Sequence, residues 1–137
     1  DFSPWSIAAI RLARELAPQA RIVLMHAYQV PFESRLLTAG ATPDRIEQYR
    51  SGIRQSALAR LAQLRAEAGL DPDRTDIDAA RGNPMHEIVL QATHRRCDLI
   101  VQGKHGSNAL GEFFLGSVTK AVLAEARCDV LVSSRAA

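Results

Sequence analysis

Apolar runs of strand length alternate with helical patterns along this chain, and that alternation constrains the fold more than any other feature. The first run, Ile22-Val23-Leu24-Met25-His26-Ala27-Tyr28, is nearly continuous in hydrophobicity, as a strand buried on both faces should be. Thr75 to Arg81 alternates Ile77 and Ala79 with polar neighbours and reads as a more exposed strand. Leu99-Ile100-Val101 and Val130-Leu131-Val132 complete the set, each directly after a Cys-Asp pair. Strands interleaved with helices are the pattern of βαβ units and of a parallel sheet covered on both faces. Right-handed crossovers leave few topologies open to such a chain.

The helix starts are marked by polar caps followed by proline. Ser3-Pro4, Thr42-Pro43 and Asn83-Pro84 each place a cap before a proline at the first helical position. After Thr42, Ile46, Tyr49, Ile53, Ala57, Leu61, Leu64 and Ala68 follow at steps of three or four until Gly69 closes the helix. Gly116-Ser117 opens a last helix carrying Val118, Val122 and Leu123. The segment from Gln29 to Ala41 is the one long irregular stretch and reads as a lid, a binding loop or a simply mobile segment. No low-complexity tract or repeat period interrupts the chain, so 137 residues read as one domain.

Composition excludes several classes of function. An apolar fraction of 47% with 23% charged residues is globular and argues against disorder. A net charge of +2 is too mild to imply a nucleic-acid or acidic-membrane partner. No apolar stretch approaches the roughly 20 residues that span a bilayer. Cys97 and Cys128 make no disulfide framework, so a cytoplasmic protein with reduced thiols is expected, a redox switch between them being the minor alternative. His26 in its apolar strand reads as a core histidine, and His86 and His94 read as surface residues. Trp5 reads as a packing residue, and Phe113 and Phe114 as core or interface anchors.

Chemistry concentrates in the segment from Gly103 to Thr119. Gly103 follows directly on a strand, Gly106 comes three residues later, and Gly116-Ser117 opens a helix after nine intervening residues. Glycines there let the backbone turn sharply and approach a ligand without a Cβ in the way. The helix start offers free N–H groups and the positive end of a dipole to an anion. Ser117 and Thr119 add hydroxyls, and His105 or Lys104 adds positive charge. Taken alone, such a loop supports a phosphate cradle and an ordinary strand-to-helix turn equally. It is neither a P-loop, lacking Gly-Lys-Ser/Thr, nor a dinucleotide fingerprint, whose glycines sit closer together.

The spacing Gly103-x2-Gly106-x9-Gly116-Ser117 resembles the nucleotide-binding signature of the ATP-binding branch of the universal stress protein family. Asp1-Phe2-Ser3 is similar to the segment that ends that family's first strand, and Val23 to Ala27 to its second. Gly82-Asn83-Pro84 with Glu87-Ile88 resembles the Gly-x-Pro element before its third helix, and Val130-Leu131-Val132 its last strand. The resemblance implies an open five-stranded parallel sheet of order 3-2-1-4-5, Rossmann-like, with helices on both faces. It also implies that Asp1, Ser3, Ala27 and Gln102 lie near adenine and ribose. Gly103, His105, Gly106, Gly116, Ser117, Val118 and Thr119 would then hold ribose and phosphates. ATP is the implied ligand, with Mg2+ or Mn2+ bridging its phosphates, although no carboxylate cluster specifies the ion. Gln102 stands where the family often has methionine. A homodimer through the last strand is implied as well.

No Ser-His-Asp or Cys-His set is recognisable, so no catalytic residue is named. The leading expectation is a nucleotide-dependent stress-response or signalling module with at most slow hydrolysis. The alternatives are a nucleotide-processing enzyme, either an ATP hydrolase or an adenylyl-transfer relative, and a dimeric interaction protein with an empty pocket. Four strands are readable where the family fold has five. The missing first strand belongs in the middle of the sheet, and roughly five to ten residues running into Asp1 are expected to supply it.

Overall fold

The computed structural model describes residues 1–106 and 115–134. Phe113 and Phe114 lie outside the described residues. Helix α1 (Pro4–Leu16) leads to strand β1 (Ile22–Tyr28), a short helix α2 (Glu33–Thr38) and the long helix α3 (Pro43–Glu67). A 3-10 turn (Pro72–Arg74) precedes strand β2 (Thr75–Arg81), followed by α4 (Pro84–His94) and β3 (Leu99–Gly103). Helix α5 (Ser117–Glu125) and strand β4 (Asp129–Ser133) complete the order.

The caps work as their chemistry requires. Ser3 Oγ accepts from Ser6 N at 3.3 Å, Thr42 Oγ1 from Arg45 N at 3.4 Å and Asn83 Oδ1 from Met85 N at 3.0 Å. At the far end of α3, Gly69 takes φ +62° and Leu70 N donates to Arg65 O at 3.1 Å. A left-handed residue followed by that long backbone bond is how a glycine ends a helix. Arg14 of α1 then donates to Ala68 O at 2.6 Å, fastening α1 to the end of α3.

The irregular stretch after β1 departs from expectation by containing a helix. Phe32 turns the chain with φ +58°, and Glu33 at the start of α2 pairs with Arg50 of α3 and, at 3.4 Å, with Arg81 at the end of β2. Tyr49 Oη donates to Pro31 O at 3.1 Å. These long-range ties order a segment too short to form a helix alone.

Strand β1 pairs in parallel with β2, from Ile22 opposite Thr75 to Tyr28 opposite Arg81. Strand β3 pairs in parallel with β4, from Leu99 opposite Asp129 to Gly103 opposite Ser133. The expected single five-stranded sheet is therefore not what the described residues form. They make two separate two-stranded sheets, β1 with β2 and β3 with β4. No described strand joins β1 to β3, and the burial of β1 reflects it. Only Leu24 and Tyr28 are buried there, where a run this apolar would be covered on both faces.

Helix α3 covers the β1–β2 pair and makes the core. Leu24, Leu61, Ala68 and Leu70 cluster with Phe2, Ile10, Ile22 and Ile77, while Tyr28, Ala57 and Ala79 form a second group. Helix α1 packs on β3, and α4 contacts both β1 and α5. His26 is a neutral packing residue, 4.5 Å from the Phe2 ring. Burial above all, with the charge of Arg60 beside it, lowers its pKa. Among the described residues no helix is long and apolar enough to cross a membrane.

Candidate functional site

A cleft of about 600 Å3 runs between the two sheets, with Val23 to Ala27 of β1 on one wall and Leu99 to Gly103 of β3 on the other. At one end, Asp1, Gly106, Gly116 and the first turn of α5 come together around it. Asp1, Ala27, Gln102, Gly103, His105, Gly106, Gly116, Ser117, Val118 and Thr119 all line this cleft. Ser3 and Lys104 do not. Ser3 is buried and spends its hydroxyl as the α1 cap, which also donates to Asp1 Oδ1 at 2.8 Å.

The two glycines of the loop have different reasons to be glycine. A Cβ on Gly103 would stand 2.6 Å from Trp5 Cβ and 2.8 Å from the Trp5 carbonyl carbon. Gly103 thus lets the backbone of α1 lie directly on the end of β3. A Cβ on Gly106 would meet Asp1 Oδ2 at 2.5 Å and, among the described residues, no backbone within ordinary contact. Asp1 Oδ1 meanwhile accepts from Ser3 N, Ser3 Oγ and Ser6 Oγ, so the carboxylate is fixed on the start of α1 with its second oxygen over the loop. Ser6 lines the cleft too, and sequence reasoning missed it. Its signal was its place one turn after Ser3, on the face of α1 that holds the cap.

The loop is closed by backbone bonds. Gly116 N donates to Lys104 O at 3.0 Å, and Lys104 N donates to Ser133 O at 2.8 Å, which extends the β3–β4 ladder. Thr119, buried in α5, donates its hydroxyl to Gly103 O at 3.1 Å. That hydroxyl holds strand to helix. The first helical bond of α5 is Lys120 N to Gly116 O at 3.0 Å. The N–H groups of Ser117, Val118 and Thr119 therefore precede the helical ladder and stand at its positive end. An anion in this end of the cleft would meet three donors and a favourable dipole.

Two buried nitrogens at the cleft have no partner among the described residues, Gln102 Nε2 and His105 Nε2. The His105 ring is held edge-on to Trp5 with centroids 5.0 Å apart, which gives Trp5 its packing role. Gln91 of α4 and Arg95, the residue that follows that helix, also line the cleft. Cys97 and Cys128 are free and half-buried. Burial and then the neighbouring Cys128 raise the Cys97 thiol above its ordinary value, so it is a poor nucleophile. His86 and His94 are exposed. No group of three His, Cys, Asp or Glu side chains fit to hold a metal occurs among the described residues.

The family model described as the universal stress protein family matches residues 1–134. This chain belongs to the universal stress protein family. A universal stress protein of Thermus aquaticus, from the 3' region of a QAH/OAS sulfhydrylase, is 34% identical over 91% of this chain and 85% of its own length. Among solved structures, the hypothetical protein MJ0577 of Methanocaldococcus jannaschii superposes with a TM-score of 0.75 at 24% identity, covering 96% of this chain and 89% of that one. A universal stress protein in complex with cAMP superposes at 0.62 with 24% identity, covering 97% and 90%. These likenesses establish an α/β, Rossmann-like universal stress protein fold. The second of these neighbours is a complex with cAMP.

The glycine geometry yields a contrast between two substitutions. Gly103→Ala should destabilise the protein by about 1–3 kcal/mol, because the Trp5 backbone cannot yield. Gly106→Ala meets a side-chain carboxylate and not backbone, and should cost less than Gly103→Ala. Urea unfolding of both variants checks the ranking, and equal losses would contradict it.

Proposed function

We propose that this universal stress protein binds an adenine nucleotide, ATP foremost, and acts as a nucleotide-dependent stress-response module with at most slow hydrolysis. The observation that carries the reading is the meeting of the Gly103–Gly106 loop, Asp1 and the free N–H groups of α5 around one cleft. Phosphate oxygens would accept from Ser117, Val118 and Thr119 N–H, each anion–dipole contact contributing about 0.3–1 kcal/mol. The nucleoside would extend toward Asp1, Ala27 and Gln102. Asp1 is committed to Ser3 and Ser6 through one oxygen, which suits recognition better than proton abstraction. Mg2+ or Mn2+ would be held by the phosphates themselves together with the Ser117 hydroxyl, since the described residues bring no carboxylate cluster to it.

Ser117→Asp separates ligand binding from folding. A carboxylate at the first position of α5 favours the helix dipole, so stability should hold or rise slightly. The same charge faces the phosphates, so ATP affinity should fall more than about tenfold, measured by calorimetry. Unchanged ATP affinity in that variant would contradict the phosphate position.

We also propose that a strand parallel to both sheets occupies the part of the cleft between β1 and β3 that lies away from α5, giving the 3-2-1-4-5 order and leaving the end beside Asp1, Gly106 and α5 for the nucleotide. The facing runs Val23 to Ala27 and Leu99 to Gly103 support this, being equal in length and mostly apolar, each paired with a described strand on one side only. A Val/Ile-rich peptide of about five to ten residues added in trans should raise Tm and protect β1 and β3 amides from hydrogen exchange. Protection confined to the outer edges of β2 or β4 would count against that order.

A further inference from the structure

The chain has two cysteines, and each stands in the same short phrase, Arg96-Cys97-Asp98 before β3 and Arg127-Cys128-Asp129 at the start of β4. The parallel register sets Leu99 opposite Asp129, and Asp129 N donates to Asp98 O at 3.3 Å, the bond that opens the ladder. One residue back along both chains, Cys128 comes opposite Asp98 and diagonal to Cys97. With strands about 4.8 Å apart and a rise of about 3.3 Å per residue, that diagonal sets the two Cα atoms about 6 Å apart. A disulfide spans about 4.4–6.8 Å between its Cα atoms. Neither cysteine belongs to its strand, and Cys97 N still donates to Ala92 O at 2.9 Å, after the left-handed Arg96 at φ +54° that ends α4. The alternation of a pleated strand therefore does not send the two side chains to opposite faces. The thiols also sense each other. After burial, Cys128 is the next cause that raises the Cys97 thiol, ahead of Asp98, its own neighbour in the chain. Both thiols are free and half-buried.

We propose that Cys97 and Cys128 form an oxidation-sensing pair, closing to an intramolecular disulfide when the protein meets a hydroperoxide. The Cys128 sulfur, as its thiolate, attacks the terminal peroxide oxygen. The O–O bond breaks, leaving a sulfenic acid on Cys128 and, with the proton that the thiol gave up, one water from hydrogen peroxide. The Cys97 sulfur then attacks the sulfenic sulfur, the S–S bond forms, and the sulfenic oxygen leaves as a second water with the Cys97 proton. Two thiols and one hydrogen peroxide thus give one disulfide and two waters, the sulfurs being oxidised and the peroxide oxygens reduced. The roles follow from the surroundings. Cys97 lines the cleft with its thiol held protonated, so the first attack falls to Cys128. The bridge fastens the entry of β3 to that of β4, at the end of this sheet opposite the Gly103 loop. It needs no nucleotide and stands apart from the reading of the cleft.

Hydrogen peroxide added to the reduced full chain tests this, with intact mass and maleimide uptake read after unfolding. The native protein should lose the mass of two hydrogens, take up no maleimide and show no covalent dimer on a non-reducing gel, and dithiothreitol should restore both thiols. Closure should be at least about tenfold faster in the folded protein than in urea, because folding holds the two thiols at a high effective concentration. Cys97→Ser should stop at a sulfenic acid on Cys128 that dimedone captures, and Cys128→Ser should react more slowly. The native measurements need no variant, so poor folding of either substitution leaves the test intact. Two free thiols after exposure, a covalent dimer in place of the internal bridge, or equal rates in the folded protein and in urea would overturn the pair. Faster capture at Cys97 in Cys128→Ser than at Cys128 in Cys97→Ser would overturn the order of attack.

Discussion

The contact between the backbone of Trp5 and Gly103 is the one on which the site depends. A side chain at position 103 would push α1 off the end of β3, since carbonyl atoms cannot rotate away. Because the two elements touch, Asp1 and Ser6 at the start of α1 reach the loop that leaves β3. The cap of α1 and one wall of the cleft are consequently the same group of atoms. Asp1 binds Ser3 and Ser6 with one oxygen and covers Gly106 with the other.

The opposite wall is set by bonds across the loop. Gly116 N to Lys104 O and Thr119 Oγ1 to Gly103 O pin α5 to the strand that precedes the loop. These bonds hold the first turn of α5, residues 117 to 119, against the cleft. Charge complementarity is thereby built from backbone groups, and it survives changes in pH that would alter a side-chain cradle. Gln102 and His105 supply the remaining polar atoms from the same short stretch.

Much of this was legible in the residues. Ser3-Pro4, Thr42-Pro43 and Asn83-Pro84 located three helix starts because capping is local chemistry, and Gly69 located an end for the same reason. The glycine spacing located the loop and the start of α5. Helix α2 was not legible, because Glu33 is held by Arg50 and Arg81, far away in sequence. The division of the strands into two pairs was not legible either. Periodicity reports which residues are apolar and not whether both neighbours of a strand are present, and β1 reads as covered on both faces while much of it faces a cleft. Gly103 was read as leaving room for a ligand; its nearest neighbour is Trp5, a packing demand that sequence spacing cannot distinguish from a binding one.

The central claim is that an adenine nucleotide sits with its phosphates on the N-terminal turn of α5 and its nucleoside along β3. A titration of isotope-labelled protein with ATP, followed by backbone amide resonances, tests it most directly. Saturable shifts should be largest at Gly106, Ser117, Val118 and Thr119, with smaller ones at Ala27 and Gln102 and none in the outer turns of α3. Shifts centred elsewhere, or none at millimolar ATP, would contradict it.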